Sequence, residues 1–211
     1  MATEREAAQM KLYGSTTSPY VRKVVMAAIE LGLRKELEIE NVDVWSPAGN
    51  PVAHVNPLGK LPTLVLDDGT VLYDSPVIVE YLDSIGRGAR LIPHDGERRF
   101  RTLTLQALAD GILDAGVARL LEGRRPEGER SPKWVERQIG IIRRGLDALE
   151  AQAPTLPQTV DLGMIAVLAC LGWIEFRHGD LNWRAERPQL TAWFYKAAER
   201  DSFRQTVPFQ A

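Results

Sequence analysis

Apolar and polar positions alternate in short rhythms over the first eighty residues. Residues 10–13 form a brief apolar run that Gly14 and the hydroxyl residues Ser15, Thr16, Thr17 and Ser18 interrupt, the pattern of a strand and its exit loop. Val21, Val24, Val25 and Ala28 then fall at i, i+3, i+4 and i+7, one apolar helix face. Ser18 and Pro19 suit the N-cap and first helical position, and Gly32 stands where a C′ glycine ends a helix. In residues 36–45, Leu37, Ile39 and Val42 alternate with acidic residues and predict an edge strand. Residues 46–56 are rich in Pro, Gly, Asn and Ala and predict an irregular segment with one helical turn. A turn and a short apolar strand follow over 56–66. Pro62 stands at the strand's mouth, where its peptide bond can be cis. Asp67, Asp68, Gly69 and Thr70 predict a hairpin turn, with Val71, Leu72 and Tyr73 as the returning strand. Asp74-Ser75-Pro76 repeats the opening device, with Ser75 as N-cap. Val77, Ile78, Tyr81, Leu82 and Ile85 form the apolar face, and Gly86 the stop.

Beyond residue 86 the rhythm becomes helical only. The spacing predicts a long helix over 98–122, with Leu108, Ile112 and Ala115 on one face. It predicts a second over 134–152, marked by Val135, Ile139, Ile142, Leu146 and Leu149. A third opens at Asp161 and is apolar on every side from 162 to 174, too short to span a bilayer and therefore the buried centre of a bundle. A fourth starts near Pro188, with Leu190, Trp193, Phe194 and Ala197. The organisation expected is a disordered extension or cloning remnant over 1–9, an α/β domain over 10–86, a linker over 87–97 and an all-helical domain over 98–211.

The bulk numbers narrow the chemistry. A chain of 211 residues with net charge −2 carries no electrostatic footprint for nucleic acid or an anionic membrane. The single Cys170 excludes an internal disulfide and fits a reducing, cytoplasmic compartment. It lies in the buried helix, as a packing thiol. His54, His94 and His178 are too scattered to suggest a metal site, and residues 1–9 lack the apolar core of a signal peptide. On its residues alone Ser18 has two readings. It caps a helix, or it offers its hydroxyl at a positive helix end that attracts anions and stabilises a thiolate. Asp110 and Asp114, one helical turn apart, read as a solvated face or as a pair turned toward a polar substrate.

Four motifs in order carry a resemblance. They are Ser18-Pro19-Tyr20-Val21-Arg22, Asn56-Pro57-Leu58-Gly59-Lys60-Leu61-Pro62, Asp74-Ser75, and the helix led by Asp161. This set resembles the cytosolic glutathione transferase family, in particular bacterial serine-type members, which the stretch 108–116 also resembles. The resemblance implies an α/β thioredoxin-like N-terminal domain plus an all-α C-terminal helical bundle domain, the glutathione transferase fold. It implies glutathione as co-substrate, no metal, and a homodimer. Ser18 would donate to the glutathione sulfur, with Ser15, Thr16 and Thr17 as alternatives. Leu61 would pair with the cysteinyl backbone, Lys60 would meet the glycyl carboxylate, and Asp74 and Ser75 would hold the γ-glutamyl amine and carboxylate. Tyr20, Asp110 and Asp114 would line a second-substrate pocket between the domains, while Trp173 and Phe176 serve as core or interface.

The implied activity is conjugation of the glutathione thiolate to a small electrophile. Glutathione-dependent disulfide or peroxide reduction and a non-catalytic binding role are the alternatives. Two departures from the family pattern stand out. Residues 46–53 carry no basic side chain for the glycyl carboxylate, and position 164 is Met where the helix-opening motif has Asp.

Overall fold

The computed structural model of the chain describes residues 9–46 and 48–208. Apart from Gln9, the extension expected over residues 1–9 lies outside the described residues. The chain divides into two units, one carrying it to Leu91 and the other spanning Ile92–Val207.

The first unit contains β1 (Met10–Gly14), α1 (Pro19–Glu30), β2 (Leu37–Asn41), β3 (Thr63–Val65), β4 (Val71–Leu72) and α2 (Ser75–Ile85). The strands form one mixed sheet in the order β2-β1-β3-β4, so β2 lies at an edge as its alternation predicts. β1 is parallel to β2, with Gly14 opposite Asn41, and antiparallel to β3, with Tyr13 opposite Thr63. β3 and β4 are antiparallel, with Leu64 opposite Leu72.

α1 ends as its glycine predicts. Gly32 has φ +70°, its N–H reaches the Ile29 carbonyl at 3.1 Å, and the Leu33 N–H reaches the Ala28 carbonyl at 2.8 Å. This is the paired closure that a left-handed C′ residue permits. The helix is more deeply set than one apolar face implies, because every residue from 21 to 28 is buried, Arg22 and Lys23 included.

Three expectations for α2 need correction. Ser75 is its first helical residue and not its N-cap; Asp74 occupies the cap position and makes no side-chain cap bond. Its buried face is Ile78, Val79 and Leu82, whereas Val77 and Ile85 are exposed. Three consecutive apolar residues at 77–79 leave the centre of the stripe ambiguous until the helix packs beside α1. Gly86 stops the helix for a different reason from Gly32. Its φ is −63°, and a Cβ there would sit 2.7 Å from Leu31 Cδ2, so close approach requires the glycine.

The second unit contains α3 (Gly96–Arg124), α4 (Pro132–Gln152), α5 (Leu162–Arg177), α6 (Pro188–Ala197) and the four-residue α7 (Asp201–Arg204), which is too short to show a period. α5 is its centre: all residues from 162 to 171 are buried, as are Trp173 and Ile174. α3 lies against α5 and α4 through glycines. A Cβ on Gly116 would meet Trp173 Cζ3 at 2.7 Å, and one on Gly145 would collide with Ile112.

Asp161 caps α5 although its capping-box partner is missing. Its Oδ1 accepts the Met164 N–H at 2.8 Å and its Oδ2 accepts the Thr102 hydroxyl at 3.0 Å. Burial raises its pKa, and these two bonds act against that rise. Asp161→Ala is therefore expected to cost about 1–2 kcal/mol, from the lost cap and the stranded Thr102. Asp161→Asn keeps the acceptor and should recover most of that loss. Urea unfolding of the two variants measures the difference.

His178 ties the far ends of α3 and α5. Its Nε2 lies 2.9 Å from the Gly116 carbonyl and its Nδ1 lies 3.0 Å from Arg119 NH1, which also bonds Asp180. The carbonyl needs a donor and the guanidinium an acceptor, so the ring is neutral with its proton on Nε2. Burial, aided by Arg119, holds its pKa below the ordinary value of 6.5. The unfolded chain thus binds this proton more readily. The stabilisation is complete above about pH 6.5 and is lost as pH falls through the folded pKa. His178→Gln should flatten the dependence of Tm on pH between about 7 and 5, measured by thermal unfolding across that window.

Candidate active site

The strand register decides which loops meet. Tyr13 faces Thr63, so the exit of β1 adjoins the entry of β3. Leu72 faces Leu64 on the opposite-running β4, so the exit of β4 reaches that same end. The loop carrying Ser15, Thr16, Thr17 and Ser18, the turn ending in Leu61-Pro62, and Asp74-Ser75 therefore gather at one sheet end, although some sixty residues separate the first from the last. α1 and α2 both begin there and pack side by side, so two helix N-termini share the site. The parallel pairing of Gly14 with Asn41 brings the exit of β2 to the same end. An open depression of about 490 Å³ lies there against Asn41, Asp43, Ser46 and Asn50.

Ser18 adopts extended backbone (φ −82°, ψ 123°), and its Oγ accepts the Val21 N–H at 3.3 Å. That bond uses the hydroxyl as an acceptor and keeps its proton for donation outward. Ser15 Oγ lies 3.2 Å from Thr17 Oγ1 and accepts the Thr17 N–H at 3.3 Å, so both are engaged in their own turn. Tyr20 sits on the first turn of α1, half-buried. Arg22, one turn beyond Ser18, is buried, and burial lowers its pKa to about 10. It therefore remains cationic at neutral pH, within the helix whose positive end Ser18 caps.

The turn before β3 is held by two asparagines from the stretch whose composition predicts irregular structure and a turn. Asn56 is 1% exposed; its Nδ2 donates to Thr63 Oγ1 at 2.9 Å and to the Lys60 carbonyl at 3.3 Å. Its Oδ1 accepts the Leu58 N–H at 2.9 Å. Asn50 Nδ2 donates to the Gly59 carbonyl at 2.7 Å, and Gly59 has φ +57°, a conformation that favours glycine. The Asn-Pro pairing at 56 was the available signal, since Asn side chains organise turns. The Leu61–Pro62 bond is cis. The β3 ladder starts only at Thr63, so the backbone of Leu61 stands outside it. Lys60 and Asp74 are exposed, while Ser75, at the N-terminus of α2, is 2% exposed.

Asp110 and Asp114 belong to the second unit, both on α3. Asp114 is exposed and Asp110 half-buried, with Gln106 Nε2 at 3.5 Å from Asp110 Oδ2. Trp173 is core, 2% exposed, and Phe176 carries the Arg177 guanidinium 4.3 Å from its ring centroid. Cys170 is buried in α5. Among the described residues no group of three His, Cys, Asp or Glu side chains could hold a metal ion, and no helix is long and apolar enough to cross a membrane.

Comparison with known proteins accords with this geometry. The model of the glutathione S-transferase N-terminal domain matches residues 17–85, and that of the C-terminal domain matches residues 132–194. The uncharacterized GST-like protein YibF of Escherichia coli (strain K12) is 37% identical over 205 residues, which cover 96% of this chain and 100% of that protein. A glutathione transferase family member from Pseudomonas fluorescens Pf-5, solved with bound glutathione, superposes with a TM-score of 0.91 at 41% identity, covering 96% of this chain and 100% of its own. A structure of a Pf-5 family member with bound S-(propanoic acid)-glutathione gives 0.87 at 41% identity, covering 95% and 100%.

Proposed function

Because the chain belongs to the glutathione S-transferase family, we propose that it conjugates the thiolate of glutathione to a small electrophile. The observation that carries this reading is the meeting of two helix N-termini with the Ser18 hydroxyl at one sheet end. Glutathione brings two carboxylates and a thiol to such a site, and each is favoured there as an anion. The Pseudomonas fluorescens relatives that hold glutathione and a sulfur-substituted glutathione support the choice of ligand.

In this reading the Ser18 O–H donates to the sulfur and lowers the thiol pKa from its free value of about 8.5. The thiol proton passes to solvent. The sulfur lone pair then forms a bond to the electrophilic carbon, and either a leaving group departs with the displaced electron pair or a double bond opens and its second carbon takes a proton from solvent. Leu61 pairs by its backbone with the cysteinyl residue, in the manner of a strand added to an edge. Ser75 and the α2 N-terminus hold the γ-glutamyl carboxylate, and Asp74 accepts from its amine. Lys60 meets the glycyl carboxylate as a point charge. Tyr20 adjoins the sulfur position from α1, and Asp110 and Asp114 select polar co-substrates. The protein works in the cytoplasm as a homodimer.

Steady-state assays with glutathione test the reading. With 1-chloro-2,4-dinitrobenzene, conjugate should appear with saturation in glutathione, one chloride being released per thioether formed. Turnover of 2-hydroxyethyl disulfide or cumene hydroperoxide without any conjugation would replace conjugation by reduction. Calorimetric binding of glutathione without turnover of any probe would leave a binding protein.

A further inference from the structure

Asn56 and Thr63 are polar, yet both are buried, at the sheet end where the three loops gather. They close on one acceptor. The Thr63 hydroxyl donates to the Lys60 carbonyl at 2.8 Å, and Asn56 Nδ2 donates to the same oxygen at 3.3 Å. Asn56 Nδ2 gives its other proton to Thr63 Oγ1 at 2.9 Å, and Asn56 Oδ1 accepts the Leu58 N–H at 2.9 Å. The carbonyl thus has two donors, and the Asn56 amide is engaged at both ends. A buried polar cluster whose members satisfy one another is rigid, and each bond depends on the rest. One residue earlier, Asn50 Nδ2 holds the Gly59 carbonyl at 2.7 Å. Two consecutive carbonyls of this turn are therefore fixed by side chains, in addition to the turn's own bond from the Gly59 N–H to the Asn56 carbonyl at 2.8 Å.

The consequence falls on the next residue. The Lys60 carbonyl and the Leu61 N–H belong to one peptide unit, which is planar and trans, so the two groups point in opposite directions. Drawing the carbonyl toward Asn56 and Thr63 turns the N–H away from them. Leu61 is half-buried and stands before the β3 ladder, and its N–H has no backbone acceptor among the described residues. Backbone donors withdrawn from water are nearly always paired. An open N–H on a peptide whose carbonyl already accepts two bonds is a donor held ready for a ligand.

We infer that Asn56 and Thr63 are positioning residues for glutathione: through the Lys60 carbonyl they hold the Leu61 N–H in the direction that the cysteinyl carbonyl requires. The inference rests on the pairing of Leu61 with the cysteinyl residue proposed above and supplies the groups that orient it. An orientation fixed before binding raises affinity, because the turn then loses little conformational freedom when the ligand arrives.

Calorimetry of the full chain with glutathione, beside steady-state assays with 1-chloro-2,4-dinitrobenzene, tests it. Thr63→Val keeps the shape of the side chain and removes the hydroxyl from the Lys60 carbonyl. Kd and KM for glutathione should each rise about tenfold. At saturating glutathione kcat should stay near the wild-type value, and so should the pH at which the bound thiol titrates, since both depend on Ser18. Thr63→Ser keeps the hydroxyl and should return both constants toward wild type. A variant that was merely misfolded in part would show the opposite split, with kcat lowered by the inactive fraction and KM unchanged. Asn56→Ala should raise Kd by a similar factor. Combined with Thr63→Val it should raise Kd by less than the product of the two, because both act on one carbonyl. Should Asn56→Ala fail to fold, the two Thr63 variants decide. Bound glutathione should also protect the Leu61 amide from deuterium exchange in the wild type, read by NMR, and protect it less in Thr63→Val.

The inference is overturned if Thr63→Val binds glutathione as the wild type does, if its loss appears in kcat and not in KM, or if glutathione leaves the wild-type Leu61 amide unprotected. A wild type that binds glutathione without turnover strikes conjugation alone, and the ratio of the calorimetric constants then decides this inference. Absence of binding by the wild type strikes both.

Discussion

Ser18→Ala should lower turnover with glutathione and 1-chloro-2,4-dinitrobenzene by about a hundredfold or more, the usual consequence of removing one preorganised donor to a developing or resident anion. The loss should fall on kcat at neutral pH, because less of the bound glutathione is ionised. Glutathione affinity should change little, since most of its binding contacts are assigned to Leu61, Asp74 and Ser75. Thiolate absorbance near 240 nm, followed against pH, reads the cause directly. In wild type the bound thiol should titrate well below its free value, and in Ser18→Ala it should return toward about 8.5. The substitution also removes the bond from the Val21 N–H to Ser18 Oγ, so a stability loss of about 1 kcal/mol accompanies it. Ser18→Thr keeps both the cap and the donor and should restore both the stability and the low thiol titration. A thiolate titration that is unchanged in Ser18→Ala would transfer the role to Ser15, Thr16 or Thr17, or dispense with a hydroxyl altogether.

Trp173→Ala should be the most damaging single change to the second unit, at about 3–5 kcal/mol. The ring is 2% exposed and meets the His178 ring edge-on, with centroids 5.4 Å apart. It also covers the backbone of Gly116, where α3 approaches α5 closely enough that a Cβ would stand 2.7 Å from Trp173 Cζ3. Removing the indole opens a cavity on a helix that is buried on nearly every side, where the surroundings relax only in part. The loss also strips a wall from neutral His178. Circular dichroism at 222 nm during urea unfolding gives the midpoint without relying on tryptophan emission. Trp173→Phe should cost markedly less. Equal losses in the two variants would show that the indole is not the element filling that contact.

The helices were legible because their signals are local. Ser18 and Asp161 accept from the third residue on, as N-caps do, and Gly32 takes the left-handed conformation its position requires. α5 could be assigned to the interior from its composition, since no stretch apolar on all sides can face water. The strands were legible too, down to the edge position of β2 and the turn at Asp68-Gly69. In these cases a residue's nearest neighbours along the chain supply most of the free-energy difference between conformations, so the chain alone determined them.

Where those elements meet was a different matter. The parallel and antiparallel pairings around β1 bring three distant loops to one sheet end, and no local pattern encodes which strands are neighbours. The resemblance to a known family supplied that expectation, and the strand register gave it its physical basis. The buried face of α2 shifted to Val79 and away from Val77, a choice made by packing beside α1. Asn56 reads as an ordinary turn residue and Glu36 as the polar start of an edge strand, yet one is 1% and the other 8% exposed. A polar side chain is ranked as solvated by default, and only the surrounding fold withdraws the water and supplies, or withholds, its partner. The sequence by itself therefore determined the longer elements and the ends that carry a local signal, such as Ser18, Gly32 and Asp161. The tertiary structure alone decided their adjacency and which polar groups are buried, because both depend on contacts between residues far apart along the chain.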